Sequence, residues 1–284
     1  MVIIIVSGIL CVGVIAALAA VKILRAEKRK KVMSEPVPPE WENILSENIE
    51  LYRHLPADLK EQLHNDMKVF LHEKEFEGCA GLEVTEEMRV TIAGEACILL
   101  LNRKPTFFPN LKSILIYPHP YTAPGYKAVA SGHYIEEPSL RSGESWTGGD
   151  LVLAWDYVKY GGQDGEDGQN VVLHEFAHQL DQEDGKADGA PILGKSSRYR
   201  EWARVFNHEY QQLQSDLEHN KKTDMDAYGA TNPAEFFAVA TETFFEKSRQ
   251  MKKHEPELYQ ELKDYYKLDP VSWIEKRQKR KTIA

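Results

Sequence analysis

Two histidines and a glutamate set in an otherwise apolar helix constrain this chain more than any other feature. Val171, Val172, Leu173, Phe176, Ala177 and Leu180 suit the run from Val171 to Asp181 to a domain interior, yet it also carries His174, Glu175 and His178. Polar groups taken out of water need partners, so the fold must bring some to this helix. Side chains four residues apart share a helix face, which lets both histidines offer ring nitrogens to one point. Two such nitrogens are half of a tetrahedral zinc site. Glu175 borders the place of a metal-activated water and can act on it as general base. The pattern His-Glu-x-x-His therefore points to a metallopeptidase with one zinc per chain. The alternative is a core helix whose histidines are hydrogen-bonded to neighbours. The setting favours the metal: a Gly-rich loop from Gly161 to Gly168 comes first, and Asn170 stands at the N-cap position.

Such a site needs a third protein ligand and an open fourth position. His178 is followed by Gln179, Leu180, Asp181 and Gln182, so the third ligand comes from elsewhere. Between Tyr228 and Phe245, Asn232 is placed as an N-cap and Pro233 as the first helical residue. Glu235 then falls in the first turn, either as the ligand or as the glutamate of a capping box. Glu242, two turns further along the same face, is the rival ligand. Tyr228 is either an ordinary loop tyrosine or a hydrogen-bond donor to a developing oxyanion. Asp181, one turn beyond His178, is either the acceptor of the second ring N–H of that histidine or a solvated helix residue. Asp150 to Trp155 reads as a strand, either an ordinary member of a sheet or one that lies at a cleft edge and pairs with a substrate backbone. His119 and His133 fall in loops and read as structural or exposed.

The N-terminus differs in kind. Val2 to Val21 carries no charge and is long enough to cross a bilayer as a helix. Lys22, Arg25, Lys28, Arg29, Lys30 and Lys31 follow it, a flank that the positive-inside rule keeps in the cytoplasm. The expectation is a transmembrane anchor over residues 1–24, touching the membrane through residues 2–21, with the C-terminal domain cytoplasmic. A charged and Pro-rich linker over 25–39, a peptidase domain over 40–273 and a basic tail over 274–284 complete the division. Leu55, Leu59, Leu63, Met67, Phe70 and Leu71 repeat with helical period. The apolar run from Met88 to Leu101 leans towards helix through its Ala and Gly. Leu111 to Tyr117 reads as a strand, and helices are expected at roughly 197–217, 233–248 and 256–267. A net charge of −9 argues against nucleic acid as a partner. The three cysteines, one of them in the apolar N-terminus, do not make a disulfide framework.

Gly149 to Trp155, Asn170 to Asp181, Asn232 to Val239 with Glu242 and Phe244-Phe245, and Glu257 to Tyr259 leading into Leu268 to Pro270 together resemble the Mlc titration factor A family of bacterial zinc peptidases. The resemblance spans roughly residues 40–273. The second half is also similar to the catalytic domain of anthrax lethal factor, through Tyr228, Thr231-Asn232 and Glu235 to Ala238. It implies that Glu235 is the third zinc ligand and that Tyr228 stabilises the transition state. The expected fold is α+β, a zincin-like metallopeptidase domain behind one N-terminal transmembrane helix. The expected placement is a single-pass protein of the bacterial inner membrane. The expected partner is a peptide or protein substrate. The alternative that the resemblance implies is a regulatory protein that binds a transcription repressor, with the zinc site mainly structural.

Overall fold

The computed structural model describes the backbone of residues 2–123, 126–128, 134–136, 139–141, 143–145 and 148–273. Side chains are described for these residues from 16 onward, apart from 18, 122–141 and 145. The chain divides into two compact units, Met1–Pro38 and Pro39–Ala284. The first is built on one helix, α1 (Val2–Met33). Its described part passes without a break from Val21 through Lys22, Arg25, Glu27, Lys28, Arg29, Lys30 and Lys31. Among the described residues no helix is long and apolar enough to cross a membrane. This overturns the expected transmembrane anchor, its membrane contact through residues 2–21 and the single-pass inner-membrane placement. The physical reason lies in the helix from Lys22 on, where charges crowd together and each one buried is costly in a bilayer. The basic tail expected at 274–284 lies outside the described residues.

The second unit opens with α2 (Glu40–Asn48) and α3 (Glu50–His54), then α4 (Ala57–Glu73), which buries Leu59, Leu63, Met67 and Phe70 at helical spacing. β1 (Glu75–Gly78) leads to α5 (Glu86–Ile98), capped by Thr85, whose hydroxyl accepts the Met88 N–H at 3.3 Å. Every residue of α5 from Val90 to Ile98 is buried, so this apolar run closes on itself as a central helix. β2 (Ser113–Tyr117) follows. Next, β3 (Tyr121–Ala123), β4 (Tyr126–Ala128), β5 (Tyr134–Glu136) and β6 (Ser139–Arg141) form two antiparallel pairs, β3 with β6 and β4 with β5.

β7 (Gly143–Ser145) and β8 (Asp150–Ala154) complete a four-stranded sheet in the order β1-β2-β8-β7. β1, β2 and β8 are parallel, with Phe76 opposite Ile114 and Ile114 opposite Leu151. β7 runs antiparallel, with Gly143 opposite Leu153. Of the two readings of β8, the ordinary sheet strand holds: it is enclosed between β2 and β7, and β7 is at the edge. The rest is helical: α6 (Trp155–Gln163), α7 (Val171–Asp181), α8 (Ser196–Glu218), α9 (Pro233–Glu246), α10 (Ser248–His254) and α11 (Pro256–Tyr266).

The structure is therefore mostly helical with a small sheet, which corrects the expected α+β, zincin-like class. Among the described residues the longest strands have five residues, whereas α8 has 23. Apolar runs in this chain bury themselves all round as helices more than along a pleated face. Phe176, on the side of α7 away from the histidines, packs on Phe108 and Phe70 with ring centroids 4.7 and 5.7 Å apart. Trp202 stacks on Phe206 at 3.9 Å, and Phe237 of α9 meets it edge-on at 5.8 Å. Each such ring contributes about 1.5–3 kcal/mol by leaving water; the first set seats α7 on α4 and the second seats α9 on α8.

Candidate metal centre

α7 begins at Asn170, which is extended (φ −128°, ψ 101°) and accepts the Leu173 N–H through Oδ1 at 2.9 Å. α9 begins in the same way: Asn232 Oδ1 accepts the Glu235 N–H at 3.0 Å and Pro233 takes the first turn. The backbone of Glu235 is thus capped by Asn232, and its carboxylate turns to the histidines. Oε2 of Glu235 lies 3.0 Å from His174 Nε2 and 3.2 Å from His178 Nε2, and the two ring nitrogens are 3.2 Å apart. Glu242, the rival ligand, sits on the other side of the first ring, where its Oε1 is 2.7 Å from His174 Nδ1.

With Nδ1–H donated to Glu242, His174 keeps a lone pair on Nε2. Donor atoms of His174, His178 and Glu235 then lie within 4.8 Å of one another. Without a metal, ring N–H groups hold Glu235 by hydrogen bonds; once those protons leave, two imidazole nitrogens and one carboxylate oxygen face a common point as lone pairs, and a shared cation satisfies all three. That donor set fits zinc.

The carboxylates decide the local electrostatics. Burial lowers the His174 pKa, but Glu242, Glu235 and Glu175 outweigh it and hold the ring well above the usual imidazole value. Burial raises Glu235, but hydrogen bonds and charge from the two histidines bring it down to about 2. Burial holds Glu175 and Glu242 above the usual carboxylate range. Glu175 is only 6% exposed and packs against β7, where a Cβ built on Gly143 would stand 2.6 Å from its Oε1. Glu175, His174, His178, Glu235 and Tyr228 all line one open cleft of about 1250 Å³. Tyr228 is 54% exposed on a short turn at the rim, its ring centroid 5.9 Å from that of His174.

Other residues fall elsewhere. Asp181 is buried and accepts the Gly189 N–H at 2.9 Å through Oδ2, so it ties down the loop after α7. His119 is exposed and pairs with Asp156 at 2.6 Å, while His133 lies outside the described residues. A group behind the centre was missed on sequence: Glu95 of α5 and Glu246 of α9 both accept from Asn170 Nδ2, at 2.7 and 3.1 Å. Burial pushes Glu95 up to about 8. Burial, then the Glu242 charge, carries Glu246 well above the usual range. Their signal was present: Glu95 is the lone charged residue between Val90 and Leu101, and Glu242 and Glu246 are one turn apart in an apolar helix.

The sequence model of the family described as glucose-regulated metallo-peptidase M90 matches residues 23–267. An uncharacterised protein of Synechocystis sp. is 41% identical over 245 residues, 86% of this chain and 89% of that protein. Mlc titration factor A of Klebsiella pneumoniae subsp. pneumoniae is 30% identical over 237 residues, 82% of this chain and 87% of that one. Mlc titration factor A of Serratia proteamaculans is 31% identical over 213 residues, 73% of this chain and 79% of that one.

Proposed function

The chain belongs to the glucose-regulated metallo-peptidase M90 family, and from that premise we propose that it is a zinc-dependent peptidase, with zinc held by His174, His178 and Glu235 and Glu175 as general base. Membership points to a metallopeptidase that acts on a peptide or protein. The observation that carries the finer reading is the convergence of two ring nitrogens and one carboxylate oxygen in a cleft that Glu175 also lines.

Zinc bound there supplies a Lewis acid for the scissile carbonyl and lowers the pKa of a water. Glu175 takes the proton from that water as its oxygen bonds to the carbonyl carbon. The same carboxyl returns the proton to the nitrogen as the C–N bond breaks, so it ends the cycle as it began. Burial strengthens Glu175 as a base by raising its pKa. Tyr228, at the rim, donates a hydrogen bond to the carbonyl oxygen as negative charge builds there.

The test compares the zinc-loaded chain with Glu175→Gln at equal zinc content on a peptide library. Cleavage by the wild type, with at least a 10²-fold loss in the variant, is expected. Near-normal turnover in the variant would remove Glu175 from its role. A second reading comes from the relatives named Mlc titration factor A: binding of a transcription repressor. Repressor binding by a zinc-loaded chain that cleaves nothing in the library would favour it over the peptidase.

A further inference from the structure

We propose that Asn170 and Glu242 form a positioning unit that fixes the ring of His174 for its metal, with Glu95 and Glu246 holding Asn170 from behind. This rests on the metal-site reading above. Glu242 uses both oxygens: Oε1 accepts the His174 Nδ1–H at 2.7 Å, and Oε2 accepts the Asn170 backbone N–H at 2.6 Å. One carboxylate therefore clamps the ligand ring to the first residue of its own helix. The bond to Nδ1 selects the ring tautomer that leaves Nε2 with its lone pair.

Asn170 spends every polar group it has. Its Oδ1 accepts from Leu173 N–H and its backbone carbonyl accepts from His174 N–H, both at 2.9 Å. Its two Nδ2 hydrogens go to Oε1 of Glu95 and Oε1 of Glu246. The second oxygens of both glutamates are buried without a hydrogen-bond partner, so the Asn170 amide is the donor that anchors the pair. α5, α7 and α9 meet at this one residue. An aspartate in its place would keep the helix cap but offer no N–H, so the contact to Glu95 and Glu246 would depend on a proton held by one of these carboxyls.

Two nearly isosteric variants of the full chain test this. Glu242→Gln turns one oxygen into an amide nitrogen, so either His174 or Asn170 loses its acceptor. Asn170→Asp removes both Nδ2 donors. Zinc affinity is measured by competition titration below the unfolding range, and the His174 tautomer by ¹⁵N-histidine NMR of the metal-free chain at a pH above the ring's own titration, where it is neutral. Each variant is expected to lose zinc affinity by about 10–100-fold and to populate the second tautomer. Adding Glu246→Gln to Asn170→Asp restores a donor at that contact and recovers a substantial part of the affinity. Wild-type affinity and a single Nδ1–H tautomer in a folded variant would overturn the proposal. A purely structural role predicts that result, with thermal stability alone reduced. The variants are independent, so one that folds is enough to decide. A wild-type chain that binds no zinc would instead sink the metal-site reading, and the metal-free tautomer still judges the positioning unit by itself.

Discussion

A methyl group on Gly143 would stand 2.6 Å from Glu175 Oε1 and 2.7 Å from both Glu175 Cγ and Val171 Cγ2. The contacted atoms are side-chain atoms of Glu175 and Val171, so Gly143→Ala is expected to push the Glu175 carboxylate out of place. Since His174, His178 and Glu235 are not touched by that methyl, zinc content should stay near one per chain. Displacing a reacting group by about 1 Å can cost about 10²-fold, and kcat is expected to fall by roughly that factor. A variant with wild-type kcat would show that Glu175 has room to spare. Tyr228→Phe removes only a hydroxyl at an exposed rim, so stability should hold while kcat drops by about 10²-fold; a change confined to KM would make Tyr228 a binding residue. Single residues were legible in the sequence where spacing encodes them: His174, Glu175 and His178 share a helix, so their geometry follows from 3.6 residues per turn. The roles of Glu235 and Glu242 were not separable that way, because both lie on one face of α9. Only packing against α7 puts one on Nε2 and the other on Nδ1 of His174.

At the scale of elements, the centre depends on how α9 is held against α7. Gly189 links them: its N–H goes to Asp181 of α7, and a Cβ there would come within 2.3 Å of the Pro233 carbonyl oxygen at the start of α9. It also sits at φ +76°, where a side chain is strained. Gly189→Ala is therefore expected to cost about 1–3 kcal/mol of stability, read from denaturant unfolding of the metal-free chain; an unchanged midpoint would mean the loop shifts freely. α4, α7, α8, α9 and α11 could be read from the sequence because apolar periodicity and, for all but α8, Asn or Pro at the start are local signals. β7 could not. It has three residues, too few to show alternation, and exists as a strand only because β8 lies beside it. The place of β8 stayed open for the same reason, since strand order is decided by distant partners rather than by any strand's own residues.

Across the whole molecule, the apolar N-terminal run misled because twenty uncharged residues look like a membrane span when read alone. The α+β expectation followed a resemblance in motifs, which record site residues and not the share of helix around them. The same scale governs how stability responds to pH. Burial raises Asp66 to about 7, Glu95 to about 8, Asp181 to about 6 and Glu255 to about 7. Each folded-state value lies above the ordinary one, so between about pH 4 and 8 the folded chain binds more protons than the unfolded chain. Stability of the metal-free protein must then fall as pH rises through that window. Glu235, held down to about 2, contributes the opposite slope only below the usual carboxylate range. Zinc runs against this trend. The carboxylates around His174 favour its protonated form, and a metal must displace that proton. Affinity for zinc therefore rises with pH while the metal-free fold weakens. The gap in Tm between zinc-loaded and metal-free protein should widen steadily from pH 5.5 to 8, reaching the equivalent of about 2.7 kcal/mol wherever free zinc is 100 times Kd. Thermal scans of both forms across that range check it. A gap that stays constant or narrows would mean that zinc does not compete with protons at His174, and so does not bind there.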